Sequence, residues 1–198
     1  MNDEKNKILF LAAAADNDGR SLATLKARKI EKRLRTGTSR ERFEFIPKVD
    51  FQVDELQETL LQCQPPCVVH LSADATKEGN IVLAREGGRP HIVKAGALAK
   101  TFQILKDRIR ALVLDGSHTE QLARELQGAV DYIVSINGTM DGKSAVIFSS
   151  HFYLGLSCGR NFDEAFELGR NQLELEGNKK AAGAARLRVK KICAAGSA

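Results

Sequence analysis

Short runs rich in apolar residues alternate with segments of helical spacing along almost the whole chain, and this alternation constrains the fold more than any other feature. Ile8 to Ala15 is a continuous apolar run ended by Asp16-Asn17-Asp18-Gly19. Eight apolar residues before a turn signal read as a strand buried on both faces. From Ser21 to Arg35, apolar residues fall at Ala23, Ala27, Ile30 and Leu34, which is helical spacing with Lys and Arg on the other faces. Thr36-Gly37-Thr38-Ser39 ends that helix. Phe43 to Val49 reads as a second strand with Phe43 and Phe45 on one face. A helix from Asp54 through Leu56, Leu60 and Leu61 is closed by Pro65-Pro66.

The same grammar continues. Cys67 to Ser72 is a third strand. Ile81 to Ala84 and His91 to Lys94 flank Glu86-Gly87-Gly88-Arg89 as a hairpin. A helix over 95–106, a strand from Ile109 to Leu114, a helix over 117–127 and a strand from Asp131 to Ile136 follow. Two helices over 141–157 and 162–176 come next. Beyond them Leu187, Val189 and Ile192 are spaced for a last edge strand, although a disordered arm also fits that tail. Strands alternating with helices predict an α/β protein: a three-layer, doubly wound, mainly parallel sheet with a small β-hairpin insertion. Such a sheet puts its site beyond the carboxyl ends of its central strands. The segments 16–18, 72–76 and 115–119 therefore matter most.

Length and charge bound the function. A chain of 198 residues, 43% hydrophobic and 28% charged, is a globular domain and neither disordered nor collagen-like. Cys63, Cys67, Cys158 and Cys193 are too few and too scattered for a disulfide scaffold. No apolar run reaches the ~18 residues of a membrane span. Met1-Asn-Asp-Glu-Lys lacks the basic start and long apolar stretch of a secretory signal, so a cytoplasmic protein is expected. The net charge of +5 hides a split: residues 20–42 carry +7, residues 178–198 carry +6, and the remainder carries −8.

Several strings, in this order, resemble the caspase-like CHAT domains, relatives of caspases and separases. They are Ile8-Leu-Phe-Leu-Ala-Ala, Val68-Val-His-Leu-Ser72, Val113-Leu-Asp-Gly-Ser-His-Thr119, Ala129-Val-Asp-Tyr-Ile-Val134, Ala145-Val-Ile-Phe-Ser-Ser-His-Phe-Tyr153 and Phe166-Glu-Leu-Gly169. The resemblance covers about residues 7–177, which makes 1–177 the caspase-like domain and 178–198 a basic tail. Proteolytic members use a Cys–His dyad. Their histidine lies in a His-hydrophobic-Ser-Gly-His-Gly segment after the third strand, and their cysteine in an Asn-Ala-Cys segment after the fourth. Here the first segment reads His70-Leu-Ser-Ala-Asp-Ala75, with Asp74 at the histidine position. The second reads Asp115-Gly-Ser117, with Ser117 at the cysteine position. A thiolate needs a nearby imidazole, and serine needs a close general base more still. A carboxylate with an ordinary pKa near ~4 is a weak base at neutral pH.

The resemblance thus implies an inactive pseudoprotease that acts through protein–protein interaction. It implies a homodimer or pairing with an active caspase-like relative, in a bacterial defence or cell-death setting. The candidate pocket comprises Asp16, His70, Ser72, Asp74, Asp115, Ser117, His118 and Asn137. Asp115, Ser117 and His118 are too close in sequence to form a triad. Ser117-His-Thr-Glu120 matches a capping box, which makes Ser117 a helix N-cap. His70 reads as a core histidine, His151 as a packing residue on an apolar helix, and His91 as a hairpin residue without an evident partner. The loop Gly138 to Gly142 is placed to line the pocket.

Other chemistries draw on less. Cys63 and Cys67, spaced C-x3-C with no second ligand pair, do not make a zinc site. Asp16 and Asp18 suit a hard cation, but the preferred role is to end a strand and cap a helix. No phosphate-binding glycine motif follows the first strand. No metal and no cofactor are expected. A displaced nucleophile, Cys158 in Leu-Ser-Cys-Gly, would instead make a weak cysteine- or serine-type peptidase. The basic helix carries Arg20, Lys26, Arg28, Lys29, Lys32, Arg33 and Arg35, of which Arg28, Lys29, Lys32, Arg33 and Arg35 form a candidate basic surface. Its readings are a solvated face, an acidic protein partner, or a nucleic-acid or nucleotide module. Nucleic acid ranks below protein, because no aromatic residue lies between Arg20 and Arg42 to stack bases.

Overall fold

The structure, a computed structural model, describes residues 5–13, 17–62, 67–136 and 140–190. Six strands form one sheet in the order β2-β1-β3-β6-β7-β8. They are β1 (Asn6–Ala12), β2 (Phe43–Val49), β3 (Cys67–Ser72), β6 (Ile109–Asp115), β7 (Tyr132–Ile136) and β8 (Ala185–Val189). All neighbours are parallel except β7 and β8. The expected hairpin is present as β4 (Ile81–Ala84) and β5 (Pro90–Val93), antiparallel and outside the main sheet.

Helices cover both faces, as the alternation of elements requires. One core layer receives Leu9 and Leu11 of β1 and Leu112 and Leu114 of β6. It is closed by α2 (Leu56–Gln62), α3 (Ala95–Ile104), α4 (Thr119–Glu125) and the hairpin. The other receives Ile8, Phe10, Ala111 and Val113. It is closed by α1 (Asn17–Thr36), α5 (Gly142–Ser157), α6 (Phe162–Leu175) and the short α7 (Lys179–Ala182). Alternate residues of β1 thus enter opposite cores, which is why its sequence is a continuous apolar run and not an alternating one.

Helix α1 buries Ala23, Ala27, Ile30 and Leu34 against the sheet, the expected stripe, although it starts four residues earlier than Ser21. Helix α5 is buried around most of its circumference because α1 and α6 flank it. A Cβ at Gly155 would lie 3.0 Å from the Ala165 Cα, so the small residue lets α5 and α6 approach closely. Asp141 caps α5 by accepting from the Ser144 N–H at 2.9 Å. A capping box opens α6: Asn161 accepts from the Glu164 N–H, and Glu164 from the Asn161 N–H.

The chain's last described strand, β8, takes the sheet edge beside β7, so the edge-strand reading of Leu187 and Val189 holds; Ile192 lies outside the described residues. A three-element polar link fastens this edge. Glu120 of α4 accepts from Ser135 Oγ of β7 at 2.9 Å and from Arg188 Nη2 of β8 at 2.5 Å. Burial pushes the Glu120 carboxyl up, but the hydrogen bonds from Arg188 and Ser135 outweigh it and leave the pKa below its ordinary value of 4.5. Its contribution to stability is therefore present above about pH 4.5 and is lost as pH falls through the lower folded-state value. Arg188→Ala is expected to cost about 1 kcal/mol at pH 7, since the link is partly exposed. The gap in Tm between wild type and variant closes in acid, which thermal melts at pH 7 and pH 3 measure.

Candidate functional site

A cavity of about 470 Å³ opens at the carboxyl ends of β1, β3 and β6, between the first turns of α1 and the start of α5. Lys26, Ser72, Asp74, Asp115, Gly116 and Ser117 line it. The register explains the gathering. Ser72 and Asp115 are paired neighbours on β3 and β6, and both project to the α1 side. The pairing continues past the strand ends: the Ala73 N–H donates to Asp115 O at 2.9 Å, and the Ala75 N–H to Ser117 O at 2.8 Å. The two loops lie so close that a Cβ on Gly116, whose φ is 151°, would sit 2.3 Å from Ala73 O. The hairpin is tied to the same loop through the Val82 N–H and Asp74 O at 2.8 Å.

The two positions that the resemblance assigns to a dyad do meet, in an unproductive way. Asp74 Oδ1 accepts from the backbone N–H of Ser117 at 2.7 Å. Among the described residues no side chain bonds to Ser117 Oγ. The capping-box reading of Ser117 is overturned: α4 begins at Thr119, its N-cap is His118, and no side chain caps it. Longer-range bonds have won, because Asp74 occupies the Ser117 N–H while Glu120 is held by Ser135 and Arg188. His118 has a left-handed φ of 56°, is exposed and lies outside the cavity lining. Asp16 and Asn137 lie outside the described residues.

The cavity floor is a buried polar cluster. Lys26 Nζ donates to Asp115 Oδ2 and lies 3.5 Å from Ser72 Oγ. Ser72 Oγ donates to the same carboxylate oxygen at 3.4 Å. His70 lies behind it, fully buried, with Nε2 at 3.5 Å from Asp115 Oδ2 and Nδ1 at 3.1 Å from the Tyr153 hydroxyl. The core-histidine reading of His70 fits this position, since the ring packs between Phe10 and Tyr153 and does not line this cavity. Burial, and then the charge of Lys26, hold His70 well below its ordinary pKa, so it stays neutral. Burial also pushes the Lys26 ammonium down to about 7.

Lys26 corrects the surface reading of the basic helix. It is 2% exposed and is not part of a solvated face. Its position signals this, three residues after Ala23 and four before Ile30, in phase with the apolar stripe. Arg28, Lys29, Lys32 and Arg35 are exposed, with Arg35 donating to Glu31 at 2.7 Å. Arg33 departs from the expected surface: it is half-buried against α5, with Nη2 at 3.4 Å from His151 Nε2. His151 is itself half-buried and stands 3.0 Å from Ile147 O. His91 does have a partner, Arg85 Nη2 at 3.2 Å. Cys158 is exposed at the C-cap of α5, whereas the cavity touches that helix's first turn. The two are a helix length apart, roughly 24 Å at ~1.5 Å per residue, so Cys158 is no nucleophile for this cleft.

Among the described residues no group of three His, Cys, Asp or Glu side chains is placed to hold a metal, and no helix is long and apolar enough to cross a membrane. Fold and cleft together define a three-layer α/β protein with a mainly parallel sheet and a polar cleft at its carboxyl edge. No protein-family model and no curated protein matches the chain.

Proposed function

We propose that the chain is a catalytically inactive caspase-like protein of the CHAT type, a pseudoprotease that acts in the cytoplasm by binding another protein. The observation that carries this reading is the bond from the Ser117 N–H to Asp74. It uses the carboxylate at the expected base position to fasten two loops, and among the described residues no side chain bonds to the hydroxyl of the serine at the expected nucleophile position. A hydrolase needs both groups poised on one reacting atom.

The edges of the sheet support the interaction half of the proposal. Strand β2 carries Pro47, which lacks an N–H and blunts its edge against pairing. Among the described residues strand β8 has β7 on one side only; it has no proline, and its Val189 is 45% exposed. A second copy, or an active caspase-like relative in a bacterial defence system, would extend the sheet there by strand addition.

A fluorophosphonate probe tests the inactive half. Incubation with the folded protein at pH 7.5, followed by peptide mapping, is expected to leave Ser117 unlabelled over hours. Stoichiometric labelling of Ser117 would overturn the proposal.

A further inference from the structure

We propose that Lys26 is a carbonyl-capturing amine, and that the cleft binds a small uncharged aldehyde and holds it as a Schiff base on Nζ. This goes beyond the interaction role and does not depend on it. The geometry is specific. Lys26 is the one lysine lining the cavity among the described residues, and its amine sits on the floor beside Ser72 and Asp115. About 470 Å³ accommodates a small organic molecule. One wall is apolar, built from Leu22, Met140 and Ala145. The rim carries the exposed carboxylates of Asp18 and Asp74, which repel an anionic ligand. An aldehyde with an uncharged, mainly apolar body suits all three surfaces.

The chemistry needs an amine that is neutral near physiological pH with a proton carrier beside it. Desolvation supplies the first, since it brings the ammonium down to about 7. Asp115 supplies the second. The Nζ lone pair attacks the carbonyl carbon, and the C=O π pair takes up a proton to give a carbinolamine. Asp115 carries a proton from nitrogen to the carbinolamine oxygen, the C–O bond breaks, and water leaves as the nitrogen pair forms C=N. The iminium retains its proton next to the Asp115 carboxylate. Amine, carbonyl and one proton, taken from solvent by the carbonyl oxygen in the first step, become iminium and water, with no net oxidation and no cofactor.

The test uses the intact wild-type protein, so no variant has to fold. Butanal is added at pH 7 with cyanoborohydride, which reduces an imine to a stable secondary amine, and peptides are mapped by mass. At that pH roughly half of the Lys26 side chains are neutral, against one in ~10³ for an ordinary surface lysine. Lys26 is expected to be alkylated at least tenfold faster than any other lysine, with a rate that rises around pH 7. Glyoxylate, an anionic aldehyde, is expected to label it at least tenfold more slowly than butanal. Uniform labelling of the lysines, a spared Lys26 or a midpoint near that of free lysine would overturn the proposal. Equal labelling by glyoxylate would overturn the ligand class.

Discussion

Replacing Lys26 with methionine alone is expected to destabilise the protein by about 3–5 kcal/mol, whereas Lys26→Met combined with Asp115→Leu restores most of that loss. The single change leaves the Asp115 carboxylate, 6% exposed on its side chain, with only long side-chain contacts among the described residues, Ser72 Oγ at 3.4 Å and His70 Nε2 at 3.5 Å. A buried charge without its counter-charge carries an uncompensated desolvation cost, which dominates when one half of such a pair is removed. The double change removes both charges and fills the space with apolar atoms beside Val113, Phe10 and Tyr153, which already form that core layer. The magnitude is a matter of burial, because a pair this dry is scarcely screened, in contrast to Arg35 and Glu31 on the outer face of the same helix. Urea titrations of wild type, both single variants and the double variant at pH 6, below the Lys26 value of about 7 so that the amine carries its charge, measure the coupling. If the double variant is no more stable than Lys26→Met, the pair has no such role.

The second large effect is expected at Gly116. Gly116→Ala would place a methyl carbon 2.3 Å from Ala73 O and 2.7 Å from Ala73 C. Both are backbone atoms of the facing loop, so no rotamer change relieves the clash. Overpacking costs about 1–3 kcal/mol and a non-glycine residue at this φ a similar amount again, so a loss on the order of 3 kcal/mol is expected. The loops must separate, which also breaks the bond between Asp74 and the Ser117 N–H. The check has two parts: a fall in the urea midpoint, and faster amide exchange at Ser117 and Ala75 than the lost global stability explains. Wild-type exchange at both amides would show that the loops are not clamped.

Much of the fold is legible because burial on both faces writes itself into composition. The runs that became β1, β3 and β6 are apolar for that reason, and the stripe of α1 follows from one-sided packing. Boundaries were less legible. Helix α4 begins at Thr119 and not at Ser117, since Asp74, distant in sequence, takes the amide that a local cap would have used. The candidate site was partly legible: Ser72, Asp74, Asp115 and Ser117 were expected at strand ends and do converge. Lys26 was hidden among many cations on one helix. Composition treats them alike, and only its phase with Ala23 and Ile30 marks it as the one turned inward. The pairing of Arg33 with His151 and of Arg85 with His91 depends on how elements pack, which spacing along the chain does not encode.

The antiparallel direction of β8 gives the molecule two distinct poles. Val189 is opposite Tyr132, the first residue of β7, while Ala185 is opposite Ile136, the last. The chain therefore leaves β8 at the end of the sheet remote from the cleft, about 17 Å away along a five-residue strand. The Lys190 N–H, which donates to Asp131 O at 2.8 Å, fixes that exit. A tether attached beyond Lys190 would hold the protein by its far pole, so surface immobilisation through that end leaves the Lys26 cavity facing solution.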